Sequence, residues 1–95
     1  MPTISMFYGI VIRMYYDDHN PPHFHAFYVN YKAIFNLDGE MLEGNMPTSK
    51  TKLISAWSLI HKDELMANWQ LSKNNESLYN ISPLNWLGGV KKWGK

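Results

Sequence analysis

The chain has 95 residues, 45% of them hydrophobic and 15% aromatic, with a formal net charge of +1 and no cysteine. That length suits one domain, and the missing cysteine excludes disulfides, Cys-ligated zinc and thiol catalysis. The near-neutral total gives no mark of a strongly basic nucleic-acid binder. It conceals an asymmetry. Residues 1–47 carry Arg13 and Lys32 against Asp17, Asp18, Asp38, Glu40 and Glu43, a net −3. Residues 48–95 carry seven lysines against Asp63, Glu64 and Glu76, a net +4.

The first half predicts strands. A short one runs from Ile4 to Tyr8, with Gly9 as a bend. Ile10, Ile12, Met14 and Tyr16 then alternate with Val11, Arg13, Tyr15 and Asp17, the period of a half-buried strand. Asp18-His19-Asn20-Pro21-Pro22 is a loop, because two prolines remove two donors and restrict the residues before them. A strand follows from His23 to Val29, with Asn30 as a turn residue. Tyr31, Ala33, Phe35 and Leu37 alternate with Lys32, Ile34 and Asn36. Asp38-Gly39 is a hairpin signal, and Met41 to Glu43 pairs back as a short strand.

After Pro47 the pattern becomes helical, with Thr48 or Ser49 as the expected cap. Leu53, Ile54, Trp57 and Ile60 form one apolar stripe, and Leu65, Met66 and Trp69 a second, out of phase with it. Two helices are therefore expected, about 49–61 and 63–73, with one kinked helix as the alternative. Ile81, Pro83, Leu84, Trp86 and Leu87 form an apolar extended segment suited to docking on the core. The expected fold is α+β: a small, mostly antiparallel sheet of four or five strands with two C-terminal helices packed on one face. Residues 1–84 form the single domain and 85–95 a partly flexible extension.

The chemistry concentrates in Asp17-Asp18-His19-Asn20-Pro21-Pro22-His23-Phe24-His25. On a strand, His23 and His25 share a face about 7 Å apart, and the proline loop can bring His19 back toward them. His19, His23 and His25 are thus the candidate ligands of a divalent metal such as zinc, with Asp17 or Asp18 as a further ligand or supporting partner. A metal-free alternative uses His23 and His25 as acid and base, with Arg13 as the adjacent cation, for cleavage of RNA. A structural alternative has the imidazoles hydrogen-bonding the loop backbone. A cupin site is not supported, because Val29 and Asn30 stand where its Glu belongs.

The run Met1 to Ile10, Arg13-Met14-Tyr15, Asp18 to Ala26, Leu42-Glu43-Gly44, Pro47 and the segment Trp57 to Trp69 resembles a family of small bacterial or phage-borne proteins catalogued as domain of unknown function 4160. The resemblance covers about residues 1–84. It implies a component of a two-gene, toxin–antitoxin-like module, acting through a small protein partner encoded nearby. It implies no activity or cofactor. Phe27 stands where an acidic residue is common in the family, and Asn85 to Lys95 extends past its usual end.

Lys50, Lys52, Lys91, Lys92 and Trp93 are candidate contacts for RNA or an acidic partner, the alternative being a solvated face and tail. The opposed charges of the two halves also suit homo-oligomers. No signal peptide or transmembrane run is evident, so no membrane association is expected and the cytoplasm is the expected compartment.

Overall fold

The computed structural model describes residues 2–84. Five strands, β1 (Thr3–Phe7), β2 (Ile10–Arg13), β3 (His23–Tyr28), β4 (Tyr31–Asn36) and β5 (Met41–Gly44), precede two helices, α1 (Thr48–Ile60) and α2 (Lys62–Lys73). The strands form one antiparallel sheet in chain order, each paired with the next. This is the expected α+β arrangement, with tight turns between β1 and β2 and between β3 and β4, and a longer loop between β2 and β3.

Strand alternation divides the sheet into two faces. Ile10, Ile12, Phe24, Ala26, Ala33 and Phe35 are buried on one face. Thr3, Arg13, His25, Ile34 and Glu43 form a cross-strand row on the other. A bulge between Thr3 and Ser5 turns both Ile4 and Ser5 inward, an effect of the extra residue such a bulge inserts. The Oγ of Ser5 is buried with no hydrogen-bond partner among the described residues.

Trp57 of α1 anchors the helical layer. Its ring lies 5.3 Å from Phe7 and 5.6 Å from Phe24, edge-on to the latter. Leu65 and Trp69 of α2 join the same cluster. Gly39 marks how closely α1 presses on the β4–β5 hairpin. A Cβ there would lie 2.9 Å from the Cα of Ser55, and its φ of +85° already demands glycine. The Ser55 hydroxyl donates to the Gly39 carbonyl at 2.7 Å.

The segment after α2 straps the β1 side. Asn68 exchanges two side-chain bonds with the Tyr79 backbone, Ile81 N–H donates to Ile4 at 2.7 Å, and Trp57 Nε1 donates to Ser82 at 2.9 Å. Ile81 is buried, as expected of that segment, while Pro83 is exposed. Trp86, Leu87 and the whole 85–95 extension lie outside the described residues.

Several local expectations are corrected. β2 stops at Arg13, so Tyr16 leaves the buried row and is exposed. Val29 leaves the strand and occupies the β3–β4 turn at φ +52°, a rare conformation for a β-branched residue. Pro47, not Thr48 or Ser49, stands at the N-cap of α1, and no side chain caps it. Ile60 and Met66 are exposed, while Ser58 and Asn68 take inward positions. The break at His61 gives each helix its own phase. No helix among the described residues is long and apolar enough to cross a membrane.

Candidate metal centre

The strand and loop carrying the histidines meet at one carboxylate. His23 and His25 are two residues apart on β3, so both project from the same sheet face, and their rings lie 5.3 Å apart. The loop before them folds Asp18 back over the strand. Asp18 Oδ2 lies 2.8 Å from His23 Nε2 and 3.4 Å from His25 Nε2. One donor atom from each of Asp18, His23 and His25 falls within 4.8 Å of the others.

His23 is buried, and both its ring nitrogens meet oxygen. Nδ1 donates to the Pro21 carbonyl at 2.7 Å. A carbonyl only accepts, so the proton is held on Nδ1 and Nε2 is directed at Asp18. With the proton on Nδ1, the Nε2 lone pair faces the carboxylate oxygen, a pair of donors that a cation could bridge. A backbone carbonyl fixing the far nitrogen is the usual support of a metal-binding histidine. His25 is less enclosed, and the edge of its ring contact with Tyr15 spans 4.4 Å between centroids.

Burial opposes the charge on Asp18, but the His19 backbone N–H and the two imidazoles outweigh it and hold its pKa below 3.8. Burial also pushes His25 below its ordinary 6.5, despite the opposing pull of Asp18. Both groups therefore bind protons less readily when folded. The stability they confer is complete above their unfolded values and is lost as pH falls through the folded ones. The expected result in EDTA is a urea midpoint that declines from about pH 6.5 downward for His25, with a further decline at carboxylate pH. His25→Gln should flatten the upper part of that curve; an unchanged curve would remove His25 as its source.

α2 holds the loop in place. Asp17 N–H donates to the Ser72 carbonyl at 3.1 Å, and Lys73 Nζ donates to the Asp18 carbonyl at 2.5 Å. The Lys73 ammonium also lies 5.4 Å from the centre of the Trp69 ring, which in turn is 5.3 Å from His23. Trp69 and Lys73 thus support the site, although their helical spacing marks them only as core and surface. No local signal in the sequence links them to residues some fifty positions earlier.

The other candidate residues are distributed as follows. His19 has a side chain 82% exposed. Its Nδ1 is 3.0 Å from Asp18 Oδ1, so it sits beside the converging set, on the outer oxygen. Arg13 is directly across from His25 in the β2–β3 register. Its Nε donates to Thr3 Oγ1 and its guanidinium lies 5.2 Å from the Phe27 ring centre; among the described residues its partners are thus Thr3 and Phe27, not a carboxylate. Lys50 is half-buried, its ammonium 4.8 Å from the Tyr28 ring centre, while Lys52 is exposed. Lys91, Lys92 and Trp93 lie outside the described residues.

A family model described as a domain of unknown function, DUF4160, matches residues 9–70. That span contains the whole Asp18–His25 site and ends within α2. No curated protein and no solved structure matches the chain.

Proposed function

The chain belongs to the DUF4160 family, and we propose that Asp18, His23 and His25 bind one divalent transition-metal ion such as zinc and that the protein is a small metal-dependent hydrolase. The observation carrying this reading is the convergence of three donor atoms within 4.8 Å, one of them a buried imidazole oriented by a carbonyl. Two histidines and one carboxylate are a ligand set suited to zinc or iron, and three protein ligands leave a position for water or substrate. A metal held by these three residues would supply an activated water near neutral pH. His19, exposed on the outer oxygen of Asp18, stands on the solvent side of the site.

The metal-free alternative, with His23 and His25 as acid and base beside Arg13, draws less support. His23 is 3% exposed and both its nitrogens are engaged, so a substrate proton does not reach it. The test is direct. Protein purified without a nickel column, stripped with EDTA and titrated with zinc should take up one ion per chain. Its unfolding midpoint should rise with zinc concentration, as binding to the native state requires. No zinc uptake and no midpoint shift would overturn the reading.

A second reading, a partner-binding component of a toxin–antitoxin-like module, has its own observation. Leu59 and Ile60, adjacent at the end of α1, are each 65% exposed. Contiguous exposed apolar surface marks interaction sites when it is extensive. Co-expression with the neighbouring small gene should yield a complex that Leu59→Lys and Ile60→Lys dissociate. Independent elution of the two products would count against it.

A further inference from the structure

We propose that the groove opening beside His25, on the sheet face opposite Phe24 and Phe35, is a nucleotide site, taking the phosphate of one nucleotide near Lys32 and His25 and its base over Phe27 and Ile34. The inference rests on the metal reading only for the chemistry that follows binding. The groove holds about 340 Å³ and is lined by Tyr15, His25, Phe27, Lys32, Ile34 and Glu43, together with Ala33 and Gly44. That volume lies in the range of small-ligand sites, which pair an apolar floor with a few polar groups.

Strand register arranges those groups. Phe27 is paired with Lys32, and Ile34 lies between His25 and Glu43 in one cross-strand row. Phe27 and Ile34 supply the apolar floor, and the Arg13 guanidinium already lies over the Phe27 ring. Lys32 and Glu43 are diagonal neighbours on adjacent strands, both exposed, and neither joins an ion pair among the described residues. Opposite charges standing unpaired beside an apolar floor suit a ligand that is anionic at one end and a hydrogen-bond donor at the other. A nucleotide is such a ligand: its phosphate pairs with lysine, and base amino or ribose hydroxyl groups donate to a carboxylate. Bare phosphate leaves Phe27, Ile34 and Glu43 unused. A purely apolar ligand strands both charges.

The experiment titrates UMP, AMP, uridine and inorganic phosphate into the full chain, with zinc and with EDTA, while zinc uptake is measured separately. Each nucleotide should bind about tenfold or more tightly than uridine or phosphate, as one charge-assisted contact accounts for. Lys32→Ala should erase most of that margin without altering zinc uptake, and Phe27→Ala should weaken nucleotide and nucleoside alike. Single-stranded ribo- and deoxyribo-oligonucleotides of one sequence then separate RNA from DNA as the source of the nucleotide. Zinc uptake without nucleotide binding would overturn this inference and leave the metal reading standing. Nucleotide binding that depends on Lys32 and Phe27, without zinc uptake, would do the reverse. Phosphate binding as tightly as UMP would also overturn it.

Discussion

Replacing Asp18 by Asn is expected to weaken zinc binding by about 100-fold or more, since loss of a supporting partner alone costs 10–100-fold and Asp18 is a direct ligand in the proposed centre. The argument is geometric. Asp18 Oδ2 is the one atom in contact with both Nε2 nitrogens, so its charge both supplies a ligand and holds the imidazoles at a common point. Asparagine keeps the shape and an oxygen acceptor but removes the charge. The fold should therefore survive, and circular dichroism in EDTA provides the control. Asp17→Asn, one residue away and exposed, should leave zinc affinity unchanged. His19→Ala is the informative companion. Its side chain is 82% exposed and contacts Oδ1, so affinity should hold. A loss equal to that of Asp18→Asn would place His19 in the ligand set and restore the three-histidine arrangement read from spacing. An unaltered affinity in Asp18→Asn itself would sink the proposed centre.

The contrast between Asp18 and His19 shows where sequence reading runs out. His23 and His25 are legible as a pair because strand periodicity alone puts i and i+2 on one face. The inward rows Ile10, Ile12, Met14 and Ala33, Phe35, Leu37 are legible for the same reason, and all six are buried. The loop is different. Its path from Asp17 to Pro22 is set by contacts with Ser72 and Lys73 at the far end of α2, and no local pattern encodes them. Which of two adjacent residues turns toward the imidazoles thus depends on tertiary packing. The same holds for Tyr16, where alternation continues in the sequence but β2 has already ended at Arg13. It holds for Ile60 too, which keeps helical spacing with Trp57 yet lies at the end of α1, where the inward stripe is no longer covered.

Trp57→Ala should lower the unfolding free energy by about 3–5 kcal/mol, the usual result of removing a large buried aromatic. The side chain is fully buried, touches Phe7 and Phe24, and donates from Nε1 to Ser82. A domain of this size has roughly 5–15 kcal/mol in all, so a large share of its stability is at stake. Urea unfolding with an unchanged slope would measure the loss; a drop under about 1 kcal/mol would mean that the ring is not the anchor of the core. Trp57→Phe separates the two contributions. It keeps most of the ring and loses only the Nε1 donation, whose acceptor belongs to an exposed residue that water can serve. The same variant tests how the core is joined to the site. Phe24 lies between His23 and His25 on β3 and stacks on Phe35 at 5.7 Å while Trp57 meets its edge, so Trp57 packs on the face of β3 opposite the one from which both imidazoles project. Zinc at about 100 times its dissociation constant adds about 2.7 kcal/mol to a native state that binds it. Because the ligands lie on the opposite face from the cavity, the native form of Trp57→Ala should still bind. Zinc should then raise the midpoint of the variant by the same free energy as the parent. A smaller rise in the variant would show that core packing sets the geometry of the centre as well as the stability of the fold.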